Sequence, residues 1–312
     1  MEAVKDMDER TGGIVVGYDG STSGVHALEW AAREAKRRGK PLTILSVMDY
    51  GGLGYAGPVG LAHWWPDVAV EHGRKLSAEG ADRARTIAPD VDVTPEPGIG
   101  PTAAVLIEAS RTAELMVVGS RGHGELHNLA IGSVAASIAA QGRCPIVIVR
   151  GEGNVLPGPA QRVVVGIDGS AAGSAALAFA ASVAEQASAP LTVVCAWNPD
   201  LPPAEQHVAQ EALDEATARV RAEHPEVDVT PVLAEGPPAL ALLKAGAEAA
   251  LLVVGTRGHG AFTSLLLGSV SHAVVHAATT PVAVVRGGIP DQVRLAEAAI
   301  PLVTADQPLA RT

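Results

Sequence analysis

The stretch GSRGHGELHNLAIGS, residues 119–133, decides the fold of this chain, and it returns at residues 255–269 as GTRGHGAFTSLLLGS. Both copies share the spacing G-x2-G-x9-G-[S/T]. Each follows an apolar run, LMVVG or LLVVG, that is typical of a buried parallel strand, and each precedes an Ala- and Val-rich stretch with helical character. Loops between a strand and a helix usually have about two to six residues. A longer Gly-rich loop that occurs twice with intact spacing predicts a phosphate-binding loop in each half.

A second repeat sets the domain organisation. Residues 13–19 read GIVVGYD and residues 162–168 read RVVVGID, and Gly-Ser follows both. Asp19 and Asp168 are 149 positions apart, whereas Gly119 and Gly255 are 136 apart, so the first half carries 13 extra residues, which we place in the Gly-rich segment 51–66. Such duplication is the mark of a repeated unit. We expect a first domain at 1–151, a linker at 152–161, a second domain at 162–288 and a tail at 289–312.

Strands and helices are predicted to alternate along each half. Val, Ile and Leu runs bounded by Gly, Pro and Asp predict strands near 13–19, 41–48, 91–95, 114–119 and 145–150, and then near 162–168, 190–197, 227–233, 250–255 and 281–286. Ala content and polar faces predict helices near 22–38, 67–88, 101–112, 133–142, 171–188, 203–223, 237–248 and 269–278. This order predicts an α/β fold with two tandem, doubly wound, five-stranded parallel-sheet domains of Rossmann-like type.

Composition excludes several classes of protein. Hydrophobic residues make up 47% of the chain and aromatic residues 3%, so we expect cores of Val, Ala, Leu and Ile. A net charge of −11 argues against nucleic acid and anionic membranes as partners. The first residues, MEAVKDMDER, lack an apolar signal core, and no apolar run reaches the about 18 residues of a membrane span. Cys144 and Cys195 are not equivalent in the two halves, which favours free buried thiols in a cytoplasmic protein over a redox pair.

A ligand site is expected where the order of the strands reverses, beyond their carboxyl ends. If the first and fourth strands are neighbours, the loop at Asp19 meets the loop 119–133 there, and Asp168 meets 255–269 in the second half. Glycine lets backbone amides approach phosphate oxygens, and a helix that begins at Ser133 or Ser269 offers its positive end. Phosphate would repel Asp19, so this carboxylate is expected at the opposite end, toward a ribose or base. The chain has no G-x4-G-K-[ST] motif, and G-x-G-x-x-G follows neither first strand.

The first-strand Asp, the G-x2-G-x9-G-[S/T] loop and the Ser-Val that ends it resemble the universal stress protein family, and the tandem layout resembles its two-domain actinobacterial members. In that family this pattern marks the ATP-binding branch. The resemblance implies an adenine-nucleotide-binding fold and two ATP sites per chain, with or without Mg²⁺. It also implies a homodimer, often through the last strands, here PIVIVR and PVAVVR, and a regulatory protein partner that the sequence does not identify.

The resemblance also assigns positions in this sequence. Asp19 and Asp168 would meet the adenosine, with Gly17 and Gly166 beside them, and Val47 and Ala196 would offer backbone contacts to adenine. The positions that would wrap the ribose and phosphates in the first half are Gly119, Ser120, Arg121, Gly122, His123, Gly124, Glu125, Gly132, Ser133 and Val134. Those in the second half are Gly255, Thr256, Arg257, Gly258, His259, Gly260, Ala261, Gly268, Ser269 and Val270.

Several alternatives stay open at the level of single residues. Asp19 and Asp168 could instead cap the helices that follow them. The two loop arginines could contact phosphate or be solvated, and the loop histidines could transfer protons or only line the pocket with backbone. His272 and His276 have a metal-like i,i+4 spacing, but no H-E-x-x-H motif is present, so no metal is expected there.

The function predicted from these patterns is a nucleotide-dependent regulatory module for stress responses. The sequence offers no repeated Lys in the loop and no clear second acidic residue near Asp19 to hold Mg²⁺, so we expect no catalytic residues and at most weak ATP hydrolysis. The alternatives are a slow ATPase or nucleotidyl-transfer enzyme that uses the same pockets, and a dimeric scaffold with vestigial pockets.

Overall fold

The computed structural model describes residues 13–49, 65–122, 131–151, 155–200, 202–258 and 267–287. The strands are β1 (Ile14–Gly17), β2 (Leu42–Met48), β3 (Val93–Ile99), β4 (Leu115–Gly119), β5 (Ile146–Val149), β6 (Val163–Ile167), β7 (Leu191–Trp197), β8 (Val229–Glu235), β9 (Leu251–Gly255) and β10 (Val282–Val285). The helices are α1 (Thr22–Arg38), α2 (Trp65–Ile87), α3 (Thr102–Ala109), α4 (Ser133–Gln141), α5 (Ala171–Ala187), α6 (Pro203–Glu223), α7 (Pro238–Gly246) and α8 (Ser269–Ala277).

The ten strands of the described residues form one sheet, in the order β3-β2-β1-β4-β5-β10-β9-β6-β7-β8. Strands within each half are parallel, which confirms the predicted α/β fold. The halves are joined by an antiparallel pair in which Ala283 lies opposite Val147. Both edges of β5 and β10 are therefore occupied within one chain. The expected pairing of these last strands between two chains is corrected, because the same kind of pairing forms inside the chain.

Hydrophobic side chains cover both faces of the sheet, as parallel sheets require. One core lies under α1, α2, α5 and α6 and runs through both halves, with Trp30 and Leu177 among its fully buried side chains. The other lies under α3, α4, α7 and α8, with Ile138 and Met116 at its centre. The first two helices of each half thus cover one face of the sheet and the last two cover the other, and each core continues from one half into the other.

The helix α1 shows why the helix boundaries follow from sequence. Ser21 has an extended backbone, and its Oγ accepts a hydrogen bond from the Gly24 N–H at 3.0 Å, which caps the first turn. Three basic residues occupy the last turn, where they favour the negative end of the helix dipole. Gly39 then adopts a left-handed conformation with φ 61°, which ends the helix.

The edge strands differ from the prediction. We expected a third strand at 91–95 and an eighth at 227–233, but both extend two or more residues further, to Ile99 and Glu235. Pro95 and Pro97 lie in β3 and Pro231 lies in β8. Proline cannot donate to a central ladder but is tolerated at a sheet edge, and β3 and β8 are the two edges. The third strand therefore continues past Pro95, where the prediction ended it, to Ile99.

Three further expectations have different outcomes. Cys144 and Cys195 are buried free thiols, and burial raises the pKa of Cys144 to about 12. In the described ranges, no helix combines the length and hydropathy needed to cross a bilayer. Most of the 51–66 insertion and the tail from 288 onward lie outside the described residues.

Candidate functional site

The strand order reverses beside β1, which lies between β2 and β4. Gly17 at the end of β1 is in register with Val118 of β4, as predicted for the first and fourth strands. A cavity of about 540 Å³ opens above this point, a size that suits a small-molecule ligand. It is lined by Gly17, Tyr18, Asp19, Gly24, Leu45, Val47, Thr102, Leu106, Val118, Gly119, Arg121, Gly122, Ile131, Gly132, Ser133, Val134 and Ala135.

Asp19 is fixed by the turn between β1 and α1. Its Oδ1 accepts hydrogen bonds from the N–H and the hydroxyl of Ser21, at 3.0 Å and 2.6 Å. The N-cap of α1 is Ser21, so the alternative that Asp19 caps the helix is wrong for this residue. Asp19 instead orients the cap, and it lines the cavity.

Two glycines make room for this carboxylate. A Cβ added at Gly24 would lie 2.5 Å from Oδ1 of Asp19, and a Cβ added at Gly122 would lie 2.7 Å from its Oδ2. Real Cβ atoms do not approach oxygen so closely, so any other residue at either position would displace the carboxylate or the loop. The Asp19 carboxylate thus packs against α1 through Gly24 and against the Gly-rich loop through Gly122.

The start of the Gly-rich loop packs on the first turn of α1. A Cβ at Gly119 would lie 2.7 Å from the backbone of Ser23. The hydroxyl of Ser23 accepts a hydrogen bond from the Arg121 N–H at 3.3 Å and lies 3.5 Å from the Ser120 hydroxyl. Ser120 is buried and does not line the cavity. Its role is to hold the loop, while Arg121 and Gly122 face the cavity.

The other end of the loop leads into α4. The Gly132 N–H donates to the Ser120 carbonyl at 2.8 Å, which brings the two ends of the loop together. Gly132 has an extended backbone, and no side chain caps α4. The first N–H groups of this helix therefore lack a side-chain acceptor, and they lie at the positive end of the helix dipole. Ser133, the first helical residue, is exposed and lines the cavity.

The remaining wall of the cavity is mainly apolar, and sequence reasoning missed it. Leu45 and Val47 come from β2, whereas Thr102 and Leu106 come from α3. Val47 was expected for its backbone. The apolar lining residues carry no local motif. Gly24, which also lines the cavity, does have a counterpart: it follows Asp19 by five positions, as Gly173 follows Asp168. That repeated spacing was a usable signal for the position next to the carboxylate.

The second half repeats this frame. Ser170 caps α5 and its N–H donates to Oδ1 of Asp168 at 3.0 Å, so Asp168 is not the cap. A Cβ at Gly258 would lie 2.2 Å from Oδ2 of Asp168. The Gly268 N–H donates to the Thr256 carbonyl at 2.9 Å, and α8 begins at Ser269 without a side-chain cap.

Other predicted positions of the second half occupy the matching places. Gly166 lies in β6 and Ala196 near the end of β7, whereas Gly255 ends β9. Arg257 follows Thr256 in the loop, and Val270 follows the first residue of α8. Six predicted positions lie outside the described residues, namely His123, Gly124, Glu125, His259, Gly260 and Ala261.

The two halves hold their loops differently. Ala172 replaces Ser23 and contacts Gly255 without a hydroxyl. Ser271, where the first half has Ala135, donates instead to the Gly255 carbonyl at 2.5 Å. Cys195 takes the place of Ser46, and burial together with the charge of Asp168 raises the pKa of its thiol. The frame is shared, but the hydrogen bonds that stiffen it are not.

His272 and His276 stack on α8 with ring centroids 4.2 Å apart. Burial, His272 and Arg150 lower the pKa of His276, in that order. Within the described ranges, no three His, Cys, Asp or Glu side chains come together as metal ligands do.

Comparisons with known proteins agree with this architecture. The model of the universal stress protein family matches residues 12–150 and 159–286. A universal stress protein of Mycobacterium tuberculosis is 36% identical over 291 residues, which cover 88% of this chain and 96% of that protein. One from Mycolicibacterium smegmatis is 32% identical over 293 residues, covering 88% and 97%. The crystal structure of a universal stress protein from Archaeoglobus fulgidus has the same fold, with a TM-score of 0.70 and 21% identity over 88% of this chain and 98% of that one.

Proposed function

The chain belongs to the universal stress protein family, and we propose that it is a regulatory protein that binds one ATP in each half. The observation that carries this proposal is the set of groups that line the first cavity. Side chains of β2 and α3 give it an apolar part, and Arg121 with the uncapped start of α4 gives it a positive part, with the Asp19 carboxylate packed against Gly122. ATP has the matching groups, namely a base, a ribose and phosphates.

The apolar part of the cavity suits the nucleoside. Leu45, Val47 and Leu106 offer a surface on which an adenine ring would lose contact with water. The Asp19 carboxylate, already bonded through Oδ1 to Ser21, would accept a hydrogen bond from a ribose hydroxyl through its other oxygen. A charged acceptor makes such a bond stronger than a neutral one.

The positive part of the cavity suits the phosphates. Backbone N–H groups at the start of α4, the Ser133 hydroxyl and the Arg121 guanidinium are donors that favour an anion. Gly122 and Gly132 would allow close approach of the backbone to the ligand. Mg²⁺ would enter with the polyphosphate as its counter-ion. The second half offers the same frame at Asp168, Gly258 and Ser269, which supports a second site.

We infer that occupancy, rather than turnover, is the output of this site. Among the described residues that line the cavity, Asp19 is the acidic one, and in this proposal it meets the ribose rather than a water that attacks the terminal phosphate. A cytoplasmic protein partner would then read the nucleotide state. A homodimer would use a surface other than β5 and β10, whose edges are occupied.

The test is mass spectrometry of small molecules released by denaturing the protein purified without added nucleotide, with ligand counted per chain. About two ATP per chain is the expected result. ADP or AMP alone, or phosphate release well above that of a Gly122→Ala, Gly258→Ala double variant, would indicate hydrolysis and an enzyme. An empty protein that also takes up no ATP in calorimetric titration would contradict nucleotide binding and leave the scaffold.

A further inference from the structure

Two arginines cross the junction between the halves. Arg150 follows β5 and Arg286 follows β10, and they are 136 positions apart, the same spacing as Gly119 and Gly255. The guanidinium of Arg150 donates to the Val275 carbonyl, on α8 of the second half. That of Arg286 donates to the Ala140 carbonyl, on α4 of the first half. Each arginine therefore contacts a helix that belongs to the other half.

The contacted carbonyls lie in the last turns of these helices. The last four carbonyls of a helix have no partner within it, and a cation at this end is favoured by the helix dipole. The same two helices begin at Ser133 and Ser269, where the proposed phosphate ends of the two pockets lie. An arginine from one half thus holds the far end of the helix that would bind phosphate in the other half.

Each crossing arginine also follows a strand residue that pairs with the start of the loop of its own half. The Ser120 N–H donates to the Val149 carbonyl at 3.0 Å. Arg121 and Arg150 are the residues that follow this pair in the chain. Thr256 and Val285 pair in the same way at 2.8 Å, and Arg257 and Arg286 are the residues that follow them in the chain. The loop arginine of the first half lines the cavity. The chain of contacts therefore runs from one pocket, across the junction, to the helix of the other.

The two cations of the first half are crowded. Arg150 is only 9% exposed, and among the described residues the Nε atoms of Arg121 and Arg150 are buried without a hydrogen-bond acceptor. Burial and the charge of Arg121 lower the pKa of Arg150. An anion bound at Arg121 would offset the repulsion between the two guanidinium groups and favour the position in which Arg150 holds α8.

We propose that Arg150 and Arg286 are positioning residues that couple the two nucleotide sites, so that a polyphosphate bound in one half raises affinity in the other. This inference rests on the proposed function, since it needs ATP as the ligand. Coupling of this kind is reciprocal, and both directions have a crossing arginine. The two states are the helix held, or not held, by the arginine of the other half.

Calorimetric titration of the full chain with ATP tests this. In the Gly122→Ala variant, where the first site is blocked, the second site is expected to bind about five-fold more weakly or worse than it does in the unsubstituted protein with its first site filled. In an Arg150→Gln background this difference is expected to shrink below about two-fold. Arg33→Gln is the matched control, because Arg33 is an exposed surface arginine of α1, and it is expected to leave the difference unchanged.

A second measurement needs no arginine variant. In the Gly258→Ala protein ATP fills only the first site, and hydrogen exchange in α8 is expected to slow when ATP is added. Unchanged exchange in α8, or two ATP that bind independently in the unsubstituted protein, would overturn the coupling while leaving the proposed function intact. Failure of the unsubstituted protein to bind ATP would overturn both.

Discussion

Oδ2 of Asp19 lies so close to Gly122 that a Cβ at position 122 would be 2.7 Å from it. The same relation joins Asp168 and Gly258, at 2.2 Å. We therefore expect Gly122→Ala to weaken ATP binding in the first half by about ten-fold or more, a factor that corresponds to about 1.4 kcal/mol. Titration should show the number of strong ATP sites per chain fall from two to one, and to none when Gly258→Ala is added.

The control for these variants is Gly158→Ala. Gly158 has open space where its Cβ would be, and its backbone conformation is available to alanine. It should keep both sites, with a melting temperature close to that of the unsubstituted protein. Full ATP binding by the Gly122→Ala, Gly258→Ala double variant would contradict the assignment of these glycines to the sites.

The charge of Asp19 is a separate test, because asparagine keeps its shape. In Asp19→Asn the amide oxygen can still accept from Ser21, whereas the atom that faces Gly122 loses its negative charge. A hydrogen bond to a charged group contributes about 1.5–3 kcal/mol, so we expect a loss of about ten-fold or more in affinity at the first site. The melting temperature should change little.

The matched variant is Asp168→Asn, which should weaken the second site directly and the first site only through the proposed coupling. Comparison of ATP with a ribose-modified analogue shows whether the Asp19 carboxylate contacts the ribose. If Asp19 accepts from the ribose, 2′,3′-dideoxy-ATP should bind the unsubstituted protein and the Asp19→Asn variant equally at the first site. An equal loss on Asp19→Asn for both ligands would place the carboxylate elsewhere.

Most of the fold followed from the sequence because the deciding signals are local. The prediction of helices at 22–38 and 203–223 matches Thr22–Arg38 and Pro203–Glu223, and in the first case Ser21 and Gly39 supply a cap and a left-handed stop. The pairing of β5 with β10 could not be predicted. Their sequences show that both faces are buried, but the partner along an edge depends on how the halves meet.

Some residues of the candidate site could be predicted from local sequence signals, and others could not. The glycines and Asp19 were predictable, because backbone approach and a fixed turn need particular residues at fixed spacing. Leu106 and Thr102 were not, because α3 is placed by packing against the sheet and its side chains carry no motif. The hydroxyl of Ser23 was also missed, since its contact with Arg121 joins residues 98 positions apart.

A buried charge cluster at the end of α1 gives a stability test. Glu34 is 1% exposed and accepts hydrogen bonds from Arg37 at 2.6 and 2.7 Å and from Arg38 at 2.6 Å. Burial would raise the pKa of Glu34, but the bonds and charges of Arg37 and Arg38 outweigh it and hold the pKa below its usual value. Glu34→Gln should cost about 3 kcal/mol, because it leaves Arg37 without its anion and Arg38 with only the more distant carboxylate of Glu114, at 3.6 Å.

The second half supplies the control, because its equivalent positions are Val183, Gln186 and Ala187. The triple variant Glu34→Val, Arg37→Gln, Arg38→Ala should cost less than Glu34→Gln alone, since no buried charge is left unpaired. Chemical denaturation measures both. The stabilisation from Glu34 is present above the unfolded-state pKa of about 4.5 and is lost as pH falls through the lower folded-state pKa. A triple variant less stable than Glu34→Gln would contradict this account.

His276 predicts the response to mild acid. Burial, His272 and Arg150 disfavour its charged form in the folded protein, so its pKa is lowered. The unfolded chain therefore binds a proton first, and stability falls as pH drops below the unfolded-state value of about 6.5. His276→Ala, which introduces the residue found at Ala140 in the first half, should flatten the dependence of melting temperature on pH between about pH 5 and about pH 7. Equal slopes for the His276→Ala variant and the unsubstituted protein would mean that His276 does not titrate differently on folding.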